Sequence, residues 1–323
     1  MTASDTPLLR VRGLGKTFPV RKGFATHQLR ALADVSFDLA AGEVVALVGE
    51  SGSGKSTTAR LIARLMEPST GEILLDGTNV LAAEPRGASL DYRAKVQMIF
   101  QDPFGSLNPV HTVGYHLERP LKRHGRASHG DVVPRVHALL EKVGLTPPAM
   151  FAAKHPHEAS GGQLQRVAIA RALAVGPKLI LADEPTSMLD VSVRIDILNL
   201  MRDLKEERGL AYLYITHDLA SARYFADRTL VLYAGHIVES GPSAEIMGEP
   251  VHPYTQLLLS AVPRPDADLS EPLAAKGGAP KLVDPPPGCP FADRCPRVES
   301  RCRERLPVLR EVAPGRQARC HLV

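Results

Sequence analysis

Residues 49 to 56 read GESGSGKS, and this stretch restricts the fold more than any other part of the chain. It follows the apolar run 44–48 and precedes a pattern of helical periodicity over residues 57 to 66. The pattern G-x-x-x-x-G-K-[ST], placed between a strand and a helix, is typical of a loop that cradles phosphate groups. Because such loops lie at the carboxyl end of a strand, we expect an α/β fold with a parallel sheet.

Each residue type in this loop has a chemical reason to be there. Glycines allow backbone N–H groups to close around phosphates, the Lys55 ammonium neutralises β and γ oxygens, and the Ser56 hydroxyl is a ligand for Mg²⁺. The predicted nucleotide-binding set is Gly49, Ser51, Gly52, Ser53, Gly54, Lys55, Ser56 and Thr57.

Three more apolar runs of strand length end at polar residues. The runs at 96–100, 179–182 and 212–216 lead into Gln101, into Asp183 and Glu184, and into His217. Such runs, separated by helical patterns, indicate strands buried on both faces of a largely parallel sheet. Ligands of these sheets bind beyond the carboxyl ends of the strands, so we expect one site to contain these polar residues.

Asp183 and Glu184 are adjacent acids at the end of a buried strand and precede Pro185. Asp183 is predicted to hold the Mg²⁺ shell, and Glu184 to act as the general base that orients and deprotonates an attacking water. The alternative is a solvated strand end. An apolar run that terminates in two acids favours the functional interpretation, since burying unpaired charges is costly.

A second anion-binding helix start occurs at HEASGGQLQRVAIARAL, residues 157 to 173. Ser160 and Gln163 have the spacing of a capping box, and Gly161 and Gly162 leave the first-turn N–H groups uncovered. The helix is predicted to continue to about residue 175. The alternative is an ordinary surface helix with a good cap.

These segments occur in a fixed order between residues 8 and 262: GESGSGKST, IFQDPFGSLNP, SGGQLQRVAIARAL, LILADEPTS, a turn from Ser187 to Asp190, and His217. In that order they resemble the nucleotide-binding subunits of ATP-binding cassette (ABC) transporters. The resemblance implies a P-loop α/β cassette with a RecA-like parallel-sheet core, an antiparallel β subdomain and a helical signature subdomain. It also implies ATP and Mg²⁺ as cofactors.

The resemblance assigns further roles to single residues. Gln101 contacts Mg²⁺ and the attacking water, and His217 holds the γ-phosphate and helps to position Glu184. Phe18 falls where the family has an aromatic residue stacked on adenine, although it is equally well explained as a core residue. Asp190, in the D-loop, is placed among the nucleotide-binding residues.

ABC cassettes pair head to tail, so the signature helix of one chain binds the γ-phosphate of ATP held by the other. Ser160, Gly161, Gly162 and Gln163 are therefore expected to serve a partner's nucleotide. The expected partners are a second ABC ATPase, a homologous but different chain, and two transmembrane permeases, with an extracytoplasmic binding protein delivering substrate indirectly. The formal net charge of +4 does not indicate a nucleic-acid partner.

The transported substrate is predicted only from segments that resemble one branch of the ABC family. FQDPFGSLNP and HPYTQLLLSAVP resemble the dipeptide and oligopeptide importer branch, and within it the second of two paired ATPases. Importers for nickel, glutathione or sugars are an alternative, as are soluble ABC ATPases of DNA repair or translation. A regulator that binds ATP without turnover is a third alternative, disfavoured by the complete catalytic set.

The chain changes character near residue 262, where a proline-rich stretch begins. We predict a nucleotide-binding domain over 1–262, with a helical subdomain at about 102–172, and a C-terminal region over 263–323.

All four cysteines, Cys289, Cys295, Cys302 and Cys320, follow this boundary, among eight arginines and four acids in residues 289–323. Their C-x5-C-x6-C-x17-C spacing is not that of a zinc finger. The resemblance implies a [4Fe-4S] cluster; Zn²⁺ and four free buried thiols are the alternatives.

Composition limits the location of the protein. The 323 residues are 44% hydrophobic but contain no apolar run of the roughly 18 residues that a membrane span needs. The N-terminus MTASDTPLLR lacks the apolar segment of a secretion signal. These features lead us to expect a cytosolic chain, and the resemblance implies a peripheral position at the cytoplasmic face of the inner membrane, through the permease subunits. Five histidines outside the motifs are expected at the surface: His111, His116, His124, His129 and His252.

Overall fold

The computed structural model describes residues 6–128, 130–261 and 282–323. These residues divide into two compact units, one within 1–40, 44–85 and 216–323, the other within 41–43 and 86–215. The N-terminal elements are β1 (Leu9–Lys22), β2 (Ala25–Leu39), β3 (Val44–Val48), α1 (Lys55–Ile62), β4 (Thr70–Leu75), β5 (Thr78–Asn79) and α2 (Val80–Ala83).

The elements that follow belong to the second unit. They are α3 (Leu90–Lys95), β6 (Val96–Ile99), α4 (Pro103–Ser106), α5 (Val113–Arg123), α6 (Val132–Lys142), α7 (Pro148–Ala153), a 3₁₀ turn (Pro156–Glu158), α8 (Gly161–Leu173), β7 (Leu179–Asp183), α9 (Val191–Arg208) and β8 (Ala211–Thr216). The chain then completes the first unit with α10 (Leu219–Phe225), β9 (Arg228–Tyr233), β10 (His236–Pro242), α11 (Ser243–Gly248), α12 (Pro253–Ser260), α13 (Ser300–Glu304), β11 (Arg310–Ala313) and β12 (Arg316–Ala318).

The strands of the first unit lie in the order β5-β4-β1-β2-β10-β9-β3. β1 pairs antiparallel with both β2 and β4. On β1, Leu9, Val11 and Leu14 are completely buried, and Val35 and Leu39 of β2 are buried with them. Alternating side chains of a strand lie on opposite faces, and a register shift between Val11 and Leu14 places Leu14 opposite Val35, on the same face as Leu9 and Val11. One face of the hairpin therefore lies in the core. This is the antiparallel β subdomain that the sequence predicts.

The C-terminal region contributes a strand to the same sheet. β12 pairs antiparallel with β10, with Ala318 opposite Glu239. Beside this pair, the Arg316 guanidinium donates to the Glu239 carboxylate at 3.3 Å, and the two side chains are only 8% and 0% exposed. Buried charges of this kind must be paired. The end of the chain is therefore an integral part of the first unit.

The second unit contains a parallel three-stranded arrangement, with β7 between β6 and β8. Every residue of β7 and β8 is buried, as strands covered on both faces should be. Since parallel strands end at the same edge, the residues after β6 and β7 lie on one side of this sheet. The strands predicted at 96–100, 179–182 and 212–216 are thus confirmed, as is the strand predicted at 44–48.

Helices α4 to α8 fall within the segment predicted as a helical subdomain. Along α5, Leu117 and Leu121 are buried one turn apart, and Leu140 of α6 and Leu164 of α8 are buried as well. Residues four apart share one face of a helix, so these leucines make the apolar faces that pack α5, α6 and α8 together.

Three local predictions are corrected by the structure. α1 ends at Ile62 rather than near residue 66, because Arg64 has a left-handed φ of 54° and its side chain bonds to Glu84. α8 ends at Leu173 rather than near 175. His252 is buried, not at the surface: its Nδ1 accepts from the Tyr254 N–H, and burial lowers its pKa to about 4.

The proposed boundary at 262 and His129 lie outside the described residues. In the part of the chain that is described, every helix is too short or too polar to cross a lipid bilayer.

Candidate functional site

The glycine-rich loop between β3 and α1 has a backbone that requires glycine. Gly49, Gly52 and Gly54 have φ angles of 151°, 78° and 109°. A Cβ on Gly49 would lie 2.2 Å from the carbonyl oxygen of Leu232. Gly54 is the N-cap of α1 and offers no side-chain acceptor to the first turn. The N–H groups of that turn are therefore suited to an anion.

The polar side chains of this loop also suit a phosphate ligand. Lys55 is 5% exposed, and its ammonium donates to the carbonyl oxygens of Gly49 and Glu50, at 2.8 and 3.0 Å. The Ser53 hydroxyl is buried and has no hydrogen-bond partner among the described residues. A buried hydroxyl without a partner is costly, so it calls for a ligand oxygen at this position.

The remaining predicted residues of the first unit lie on separate elements. Ser51 is exposed at the loop tip, and Ser56 and Thr57 are half-buried in the first turn of α1. Phe18 lies half-buried on β1, and the Lys16 ammonium is 5.2 Å from the centre of its ring. His217, the residue after β8, is exposed.

Glu184 and Gln101, in the second unit, are brought into direct contact. The Gln101 amide nitrogen donates to the Glu184 carboxylate at 3.1 Å. Glu184 has a left-handed φ of 48°, and its N–H donates to the carbonyl oxygen of Ile215. This conformation costs a non-glycine residue roughly 1–2 kcal/mol, a strain that is commonly found at functional sites. Asp183, one residue earlier, is 4% exposed at the end of β7.

The start of α8 is capped as predicted. The Ser160 hydroxyl accepts from the Gln163 N–H at 3.3 Å, and the Gln163 side chain accepts from the Ser160 N–H at 3.1 Å. A Cβ on Gly162 would lie 2.7 Å from the Val193 side chain of α9. The small residues thus allow α8 to lie close to α9, while Ser160 itself is exposed.

Asp190 is the N-cap residue of α9, where its side chain makes no capping hydrogen bond. It is exposed, as is Met188 two residues earlier, at 57%. The predicted residues therefore divide between the two units. Gln101, Asp183, Glu184, the signature residues and Asp190 belong to the second, and the others to the first.

The four cysteines line one small cavity of about 20 Å³, together with Phe291 and Pro307. None of them is disulfide-bonded. Burial raises the pKa of the Cys289 thiol to about 11 and raises that of Cys295. The donor set is that of a thiolate metal site. However, within residues 6–128, 130–261 and 282–323, no three potential ligands lie in an arrangement that would hold a metal ion.

Tyr254 contacts the phosphate-binding loop, and no sequence pattern predicts this contact. Its hydroxyl accepts from the Glu50 N–H at 2.9 Å, and the side chain is completely buried. In the sequence it belongs to HPYTQLLLSAVP, which resembles a segment of the peptide importer branch but indicates no contact with the loop. A buried tyrosine usually finds a hydrogen-bond partner, but the sequence does not say which.

Two protein-family models match the chain. The model described as ABC transporter covers residues 32–187, and the model described as oligopeptide/dipeptide transporter, C-terminal region, covers residues 238–302. The first match includes the phosphate-binding loop, the signature helix and the two acids at the end of β7. The second ends at Cys302 and includes two more of the four cysteines.

Several curated relatives match over nearly their whole length. A putative peptide import ATP-binding protein of Brucella ovis is 45% identical over 98% of both chains. A dipeptide transport ATP-binding protein of Haemophilus influenzae is 44% identical over 98% of this chain and 97% of its own. An oligopeptide transport ATP-binding protein of Bacillus subtilis is 41% identical, over 99% and 98%.

Solved structures match the cassette part of the chain. A dimeric ATP-binding cassette in a post-hydrolysis state, bound to ADP and Pi, aligns with a TM-score of 0.63 and 32% identity, over 73% of this chain and 98% of that one. A Clostridium perfringens protein that is part of an ABC transporter complex aligns with a TM-score of 0.64 and 27% identity, over 75% of this chain and 91% of that one. These matches confirm the predicted cassette fold. The chain belongs to the family of ABC transporter ATP-binding proteins, with the C-terminal region of its oligopeptide/dipeptide branch.

Proposed function

We propose that this chain is the ATP-hydrolysing subunit of a membrane importer for dipeptides or oligopeptides. The observation that carries the proposal is the joint presence of a complete phosphate-binding loop and the oligopeptide/dipeptide C-terminal region in one chain. Relatives named for peptide import match it from end to end. ATP binding and hydrolysis would then drive a conformational cycle in permease subunits at the cytoplasmic face of the inner membrane.

In this proposal the first unit binds the nucleotide. The N–H groups of the loop and the Lys55 ammonium hold the β- and γ-phosphates, and the Ser53 hydroxyl gains a phosphate oxygen as its partner. Ser56, Gln101 and Asp183 would hold Mg²⁺, whose chemistry is to neutralise charge on the phosphate oxygens. The Phe18 ring would lie against adenine.

The second unit supplies the base. The Glu184 carboxylate takes a proton from the attacking water, and the amide of Gln101 keeps that carboxylate in place through the 3.1 Å hydrogen bond. His217 would contact the γ-phosphate. Because hydrolysis adds water across the terminal phosphate bond, the products are ADP and phosphate.

The signature helix and Asp190 are assigned to a partner's nucleotide. Exposure of Ser160 supports this assignment, as does the dimeric state named for a cassette of similar fold. The expected assembly contains a homologous second ATPase, two permeases and, indirectly, an extracytoplasmic binding protein. We keep the boundaries proposed from sequence, with a cassette over 1–262, its helical subdomain at about 102–172, and a C-terminal region over 263–323.

The transport proposal predicts ATP-dependent peptide uptake by vesicles that contain this chain, its partner ATPase, the permeases and the binding protein. Labelled di- and oligopeptides should accumulate, whereas Ni²⁺, glutathione and sugars should not. Vesicles loaded with ADP instead of ATP are the control. Uptake of one of the other solutes in place of peptides would contradict the peptide assignment and favour a related importer.

We also propose that the four cysteines bind a [4Fe-4S] cluster, with Zn²⁺ as the alternative. Four thiols around one small cavity support this, although the cavity must enlarge to admit a cluster and the thiols must lose their protons to ligate metal. When bound, such a group supplies a cross-link for a short segment that has little core of its own. No step of ATP hydrolysis depends on it.

Anaerobically purified protein should contain about four irons per chain and absorb visible light, as a cluster of this type does. Replacing Cys302 with serine should lower the iron content, while the parent chain keeps it. About one zinc per chain without visible absorbance would favour the alternative. Folded protein that has bound neither metal would contradict both.

A further inference from the structure

An ion pair connects the C-terminal region to the phosphate-binding loop. The Arg294 guanidinium donates two hydrogen bonds to the Glu50 carboxylate, at 2.7 and 2.8 Å. The two residues are 244 positions apart, and their side chains are 12% and 37% exposed. A two-bond contact between a planar guanidinium and a carboxylate fixes direction as well as distance. The loop is thereby tied to a segment far from it in sequence.

Arg294 is held in this orientation by aromatic side chains. Its guanidinium carbon lies 5.7 Å from the ring centre of Tyr233 and 5.9 Å from that of Phe291. Both rings are about 1% exposed and pack edge to face at 5.3 Å. Aromatic rings at this distance attract a guanidinium, and the nearly buried side chain of Arg294 has little space for other orientations. The two N–H groups of the guanidinium are therefore kept facing the Glu50 carboxylate.

Glu50 is fixed by every polar group that it has. Its N–H donates to the Tyr254 hydroxyl at 2.9 Å, and its carbonyl oxygen accepts from the Lys55 ammonium at 3.0 Å and from the Ser53 N–H at 3.2 Å. The carboxylate is the part held by Arg294. Movement of the Glu50 backbone would therefore move the lysine and the serine that face the phosphates.

We propose that Arg294 is a positioning residue. Through its ion pair with Glu50, it holds the phosphate-binding loop in the conformation that binds the nucleotide. The proposal rests on the proposed function, since it concerns the same ATP site. A loop held in place before ATP arrives loses less conformational freedom on binding. Arg294 acts on the loop through Glu50, and the loop binds the phosphates, so its loss should weaken binding without slowing the chemical step.

The test compares full-length variants by ATP titration and by steady-state hydrolysis in the assembled complex. Arg294→Met is expected to raise both Kd and KM for MgATP about tenfold, with kcat within about twofold of the parent, the pattern that indicates lost binding. Arg303→Met is the matched control, because Arg303 makes an exposed ion pair with Asp293 in the same region. It should leave Kd and KM unchanged.

Glu50→Gln provides a second way to break the contact that does not alter the C-terminal region. It should raise Kd to a similar extent, and the double variant should be no worse than either single one, since both remove one interaction. Arg294→Lys should fall between parent and Arg294→Met. Thermal melts identify any variant that does not fold, and Glu50→Gln then decides the outcome.

Unchanged Kd in folded Arg294→Met or in Glu50→Gln would overturn the proposal, as would fully additive effects in the double variant. Equal losses in KM and kcat would also overturn it, because they would indicate a role in the chemical step or general damage. Failure of the parent chain to bind MgATP is a different result, which would overturn the proposed function itself.

Discussion

Replacing Glu184 with glutamine is expected to lower ATP hydrolysis by about a hundredfold or more, while MgATP still binds. Loss of a general base commonly costs 10²- to 10⁴-fold in rate. Glutamine has nearly the same shape as glutamate and can keep a hydrogen bond to Gln101, but it cannot take a proton from water. The change replaces only the end of the side chain, so we expect the backbone at this position to keep its φ of 48°.

The measurement is phosphate release at saturating MgATP in the assembled complex, with a parallel titration of MgATP binding. Glu206→Gln is a suitable control, since Glu206 is an exposed glutamate on α9. It should hydrolyse ATP at the parent rate. Near-normal turnover in Glu184→Gln would mean that another group is the base.

The elements that hold the candidate site are those that local patterns predict well. β3, β7 and β8 are continuous apolar runs between polar ends, a pattern produced by burial on both faces. The cap of α8 depends on two residues three positions apart, so the spacing of Ser160 and Gln163 is sufficient to predict it. Both are properties of short segments and need no knowledge of the tertiary fold.

The features that the sequence did not predict depend on contacts between distant segments. The early end of α1 involves Glu84, twenty residues after Arg64. The ion pair of Arg316 with Glu239 spans 77 residues, and that of Arg294 with Glu50 spans 244. A charged residue is normally predicted to be exposed. These residues are buried or half-buried because each forms an ion pair with a residue far away in the sequence. His252 is a further example: its sequence context predicts a surface position, but the folded chain buries it.

Separating this chain from its partner cassette is expected to reduce ATP hydrolysis per chain by about a hundredfold. A monomer retains Lys55, Glu184 and the loop N–H groups, but lacks the partner's signature helix, whose N–H groups would stabilise charge on the γ-phosphate. Removing one preorganised donor to a developing negative charge typically costs 10²- to 10³-fold in rate. ATP would still bind to the monomer through the loop.

The most direct test of this shared site is the rate of ATP hydrolysis per chain, measured during dilution alongside the molecular mass of the same sample. We predict that the rate falls in step with the fraction of paired cassettes and returns when the partner ATPase is added. Strictly monomeric chain that hydrolyses ATP as fast as the full assembly would contradict the shared site.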